Sequence, residues 1–85
     1  MTSYALARVE RAEAAVRREL AAVRNLRVRD LGGDRASVEV DAALLPLGDA
    51  LEARVLAAVR EAGFAVAEVD PRGFRSGSMN EVLSK

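Results

Sequence analysis

Two short alternations of apolar and polar residues, Leu26-Arg27-Val28-Arg29 and Ser37-Val38-Glu39-Val40, flank Leu31-Gly32-Gly33-Asp34. A period of two on both sides of a glycine-rich turn is the signature of a β-hairpin. The hairpin, about residues 26–41, constrains the chain more than any other feature. With only 85 residues, its apolar face has to be covered by whatever lies immediately before and after it. A chain of this length makes one small domain and buries only about 60% of its unfolded surface, which leaves little room for a deep enclosed site.

Both flanking segments read as helices. From about residue 4 to 24 there is no Gly or Pro, and Thr2 or Ser3 can supply an N-cap oxygen. Leu6, Val9, Val16, Leu20 and Val23 project onto one stripe at helical spacing. Glu13 falls inside that arc, where an apolar residue is expected. It either turns outward to pair with Arg17 one turn on or stands at the edge of a pocket. A second helix is expected over about 49–62, with Asp49 as N-cap and Glu52 completing a capping box. Its stripe is Leu51, Val55, Val59 and Ala62, and Gly63 stops it. Residues 64–69 read as a third strand, apolar on both faces and therefore central.

The order αββαβ defines an α+β domain, two helices on a small, mostly antiparallel three-stranded sheet. It is ferredoxin-like, a split βαβ unit lacking its first strand. Such a sheet keeps an open edge that a partner chain or neighbouring domain is expected to cover, so a homo-oligomer is one expectation.

Composition narrows the chemistry. There is no cysteine and no histidine, which removes disulfides, thiolate nucleophiles, Ser-His-Asp catalysis and imidazole- or sulfur-held metals. The chain alone is therefore not expected to be an enzyme. Thirteen basic side chains balance thirteen acidic ones, and few aromatics are present, which argues against nucleic acid as a partner. No apolar run approaches the ~20 residues of a membrane span, and the N-terminus does not resemble a secretory signal. The expected location is the cytoplasm.

Against this balanced background a few residues stand out. Arg27 and Arg29 share one strand face about 6.6 Å apart, a spacing that suits one phosphate or two neighbouring ones. The competing explanation is cross-strand pairing with Glu39 and Asp41 on a solvated face. The segment from 72 to 83 is also unusual, because Arg75, Ser76, Gly77 and Ser78 can form a backbone nest around an anion.

Taken in order, Val9-Glu10-Arg11-Ala12-Glu13, Leu26-Arg27-Val28-Arg29, Ala36-Ser37-Val38-Glu39-Val40, Glu61-Ala62-Gly63-Phe64 and Gly73-Phe74-Arg75-Ser76-Gly77-Ser78-Met79-Asn80 resemble the C-terminal portion of the ATP-dependent sacrificial sulfur transferases, the LarE family of the PP-loop superfamily. The Arg75–Asn80 motif is the most specific part. The resemblance implies substrate-phosphate binding by Arg27 and Arg29, and a ligand- or metal-orienting role for Glu13. It implies a functional tail at Arg75, Ser76, Gly77, Ser78 and Asn80. It also implies work on a phosphorylated nicotinate-derived mononucleotide in nickel-pincer cofactor synthesis. The family's Ser-Gly-Gly-x-Asp-Ser loop and its sacrificial cysteine have no counterpart here. The resemblance thus implies a module that binds no cofactor by itself and acts with a PP-loop catalytic domain or subunit that holds MgATP.

Overall fold

The computed structural model describes residues 4–74. Its elements are α1 (Tyr4–Glu19), β1 (Leu26–Gly32), β2 (Arg35–Val40), a 3-10 turn (Ala42–Leu44), α2 (Asp49–Glu61) and β3 (Val66–Val69). This is the α+β order αββαβ that the sequence predicts, with both helices against one face of a three-stranded sheet.

β1 and β2 form an antiparallel hairpin in which Arg27 faces Glu39, Val28 faces Val38 and Arg29 faces Ser37. Gly33 and Asp34 make the turn at φ of 61° and 59°, the left-handed pair that a tight two-residue turn requires. β3 then pairs in parallel with β2, Ala67 beside Ala36 and Val69 beside Val38.

The strand order β1-β2-β3 refines the expected architecture and corrects one part of it. The sheet is mixed, with the longer ladder antiparallel and the shorter one parallel. In a split βαβ unit a strand separates the two parallel ones, whereas here β2 and β3 touch, so no gap is left in the middle. β3 is also an edge strand, not the central one. Its apolar character on both faces misled the assignment: Ala67 and Val69 pack toward the core while Val66 is 48% exposed. The central strand is β2, whose residues from Ala36 to Val40 are all buried.

The core lies between the layers. Ala12, Val16, Leu20 and Val23 come from α1 and the turn after it. Val28, Ala36, Val38 and Val40 come from the sheet, and Val55, Val59 and Phe64 from α2 and its exit. Of the stripe predicted for α1, Val16, Leu20 and Val23 are buried and Val9 packs against the core, whereas Leu6 is 49% exposed and Arg8 and Ala12 are buried in addition. α1 also ends at Glu19, not near Arg24. The Asp41 carboxylate draws residues 24 and 25 into a turn by accepting hydrogen bonds from Arg24 N (2.7 Å), Asn25 N (3.2 Å) and Asn25 Nδ2 (2.8 Å). At α2, Gly48 occupies the N-cap with φ 91° and no side-chain cap forms. Asp49 is thus inside the first turn, the expected capping box does not form, and Glu52 N donates the first helical bond to Gly48 O.

Candidate functional site

Alternation along β1 and β2 places Arg27, Arg29, Ser37 and Glu39 on the sheet face opposite the helices. The two arginines are therefore neighbours on one face, and both are exposed. Each has a neighbour within its own chain. Arg29 Nη1 lies 3.3 Å from Glu39 Oε2, a diagonal pair, since Ser37 is directly opposite Arg29. The Arg27 guanidinium lies 5.8 Å from the centre of the Phe74 ring, within cation–π range.

The face is also less solvated than the alternation suggests. Ser37 and Glu39 are buried at 7% and 5% exposure. Asp41, expected beside them, sits past the strand in the 24–25 turn. After β3 the chain turns at residues 70–73 and then continues alongside β2 in the same direction: Asp70 N donates to Val38 O, Gly73 N to Asp70 O and Phe74 N to Val40 O. Asp70 caps its own turn by accepting from Arg72 N at 2.8 Å, and Arg72 Nη2 pairs with it at 3.2 Å.

Together these residues line a shallow groove of about 410 Å³ that holds Arg29 and Arg72 against Glu39, Glu68 and Asp70. Three carboxylates against two guanidiniums disfavour a free anion there, because a phosphate must displace an existing carboxylate partner and approach the remaining ones. Among the described residues no group of three or more Asp and Glu side chains is arranged to hold a metal ion.

Glu13 follows neither predicted course, and no ion pair joins it to Arg17 among the described residues. Its Oε2 accepts a hydrogen bond from Val28 N at 3.1 Å. In an antiparallel pair, alternate residues direct their backbone groups away from the partner strand. An Val28 amide satisfied from α1 therefore lies on the outer edge of β1. Glu13 reaches over that edge and occupies a donor that would otherwise be open to another strand. The carboxylate that interrupts the apolar stripe is an edge guard.

The most connected polar residue is one that the sequence reading did not single out. Arg8, 7% exposed, donates from Nη1 to Asp34 Oδ1 (2.8 Å) and to Gly63 O (2.9 Å). Its Nη2 donates to Asp30 Oδ2 (3.1 Å). Its guanidinium also stacks 4.1 Å from the Phe64 ring centre. One side chain thus ties α1 to the hairpin turn and to the start of the β3 segment. The bond to Asp34 is the main cause that raises the Arg8 pKa above its ordinary value, against the lowering effect of desolvation. Asp30 is held below the ordinary carboxylate range, first by the Gly32 amide and then by Arg8. Asp41 is lowered in the same sense, first by the Arg24 amide and then by the Asn25 side chain. The available signal for Arg8 was its helical position, one turn before the buried Ala12.

The tail residues Arg75, Ser76, Gly77, Ser78 and Asn80 lie outside the described residues. Among those described, no helix is long and apolar enough to cross a membrane.

Fold and site together define a small two-layer αββαβ domain with one guarded sheet edge and an internally paired polar face. Comparison with known proteins finds no matching family model and no matching curated sequence.

Proposed function

We propose that this chain is a non-catalytic interaction and assembly module that works through the outer edge of β3. The observation that carries this reading is the asymmetry of the sheet. Glu13 satisfies the outer edge of β1 at Val28, while β3 has no strand beyond it among the described residues. Its segment Ala65-Val66-Ala67-Glu68-Val69 contains no proline and one charged residue, Glu68. The arginines that suggest ligand binding are engaged with Glu39 and Phe74, which favours scaffolding over capture of a free anion.

A second reading has its own support. The order of motifs resembles the C-terminal part of the sacrificial sulfur transferases, and Arg27 and Arg29 stand side by side on an accessible face. In this reading the chain is the substrate-phosphate-binding module of such an enzyme in the cytoplasm. Arg27 and Arg29 exchange their present partners for the phosphate of a nicotinate-derived mononucleotide, and a PP-loop partner supplies MgATP.

Thermal unfolding with inorganic phosphate, nicotinate mononucleotide and ATP separates the two. Ligand at 100 times its dissociation constant stabilises by about 2.7 kcal/mol, a readily measured rise in Tm. The assembly reading predicts no rise with any of the three. A rise that disappears in the Arg27→Ala/Arg29→Ala double variant would replace it with the phosphate-binding reading.

A further inference from the structure

We infer that the occupant of the β3 edge is a second copy of this chain, joined antiparallel about a twofold axis through Ala67. The inference rests on the edge-assembly reading above and specifies its partner. Val66 N donates to Asp34 O and Asp70 N to Val38 O, so the even-numbered residues of β3 direct their backbone groups at β2. In a parallel pair the N–H and C=O of one residue point to the same side. Ala67 and Val69 therefore present theirs outward, and Ala67 lies near the middle of the strand. Two copies related by a twofold axis there exchange a pair of hydrogen bonds between their Ala67 residues. The same register sets the exposed Val66 opposite Glu68 of the second copy, so an apolar side chain covers an aliphatic stem and like charges are kept apart.

The helix above this edge is self-complementary about the same axis. α2 faces α1 with Arg54, which pairs with Glu19, and with Ala58 and Glu61, which share a groove with α1. The opposite flank of α2, toward β3, carries Glu52, which lines a groove with Val69 and Pro71. At 100° per residue Leu56 and Arg60 continue that flank. Glu52, Leu56 and Arg60 are spaced by four, acidic, apolar and basic in turn. Antiparallel packing of two α2 helices puts Leu56 against Leu56 and each Glu52 against the other copy's Arg60. Neither Glu52 nor Arg60 has an ion-pair partner among the described residues of its own chain. A surface that matches itself under a twofold rotation is the requirement for an isologous dimer.

The test is the mass of the full chain by light scattering across a concentration series, with variants chosen to keep the fold. Ala67→Pro removes only an outward N–H, at an edge where proline is tolerated, and should yield monomer with an unchanged far-UV spectrum. Glu52→Arg sets arginine against Arg60 of the other copy at two symmetric places, and should raise the dimer dissociation constant on the order of tenfold. Adding Arg60→Glu should restore it. A wild-type chain that stays monomeric at every concentration would overturn the homodimer while leaving the β3 edge to a different strand. A dimer whose mass and affinity ignore Ala67→Pro would overturn the β3 assembly reading itself.

Discussion

Replacing Glu13 by alanine removes one hydrogen bond and opens one sheet edge. The bond runs from the Val28 amide to a charged acceptor at 3.1 Å in a partly buried position. Bonds to charged groups contribute about 1.5–3 kcal/mol. We take about 2 kcal/mol for Glu13→Ala. For a domain of 60–100 residues that lowers Tm by about 8–16 °C. If the Val28 amide exchanges through local opening, the same energy accelerates its exchange by about 30-fold. Glu13→Gln keeps a neutral acceptor at the same reach and should lose only about half as much. Urea unfolding followed by circular dichroism gives the first number, and amide hydrogen exchange by NMR gives the second. The alanine variant should also self-associate through β1, because the edge of that strand is no longer blocked. Unchanged Val28 exchange together with an unchanged urea midpoint would refute the edge-guard reasoning.

Two further predictions concern the polar network. Arg8→Lys retains the charge but cannot reach Asp30, Asp34 and Gly63 O together while stacking on Phe64. It should lower Tm and loosen the hairpin turn, visible as faster exchange of the Gly32 amide. Asp30 and Asp41 are both held below the ordinary carboxylate range in the folded chain, so unfolding takes up protons on the acid side. Their contribution is full above the unfolded carboxylate pKa of about 3.9, and it is lost as the pH falls through the lowered native values. Unfolding free energy measured against pH should therefore decline below about pH 5, and Asp41→Asn should flatten part of that decline.

Much of this fold can be read from the sequence, because the physics that decides it is local. The hairpin follows from period-two alternation around Gly33 and Asp34, whose backbone has to be left-handed. α2 follows from the Leu51, Val55 and Val59 stripe and the Gly63 stop. The errors arise where a distant partner decides. α1 ends at Glu19, and by residues 24 and 25 the chain is held in a turn by Asp41, which lies beyond both strands of the hairpin and accepts their amides. β3 looks central because Val66 is apolar, yet burial in the sheet is not what keeps it so.

The candidate site was only partly legible for the same reason. Arg27 and Arg29 were placed on one face correctly, since strand alternation fixes that. Their engagement with Glu39 and Phe74 depends on a diagonal contact and on the turn around Pro71 that brings Phe74 back beside Val40. Glu13 drew attention as a misfit in an apolar stripe, but its partner is a main-chain N–H, which no residue type announces. Arg8 drew none, because a charged residue beside alanines reads as solvent-facing until its carboxylates at positions 30 and 34 are brought to it.

One edge of this sheet is guarded at Val28 by Glu13 of its own chain, and the other is proposed to pair with a second copy. Residue-resolved amide exchange over a concentration series tests both edges at once. Val28 should be protected at every concentration, whereas Ala67 should gain protection as the concentration rises. An Ala67 amide that exchanges freely even in the most concentrated sample, or a Val28 amide that does so in any sample, would contradict this arrangement of the two edges.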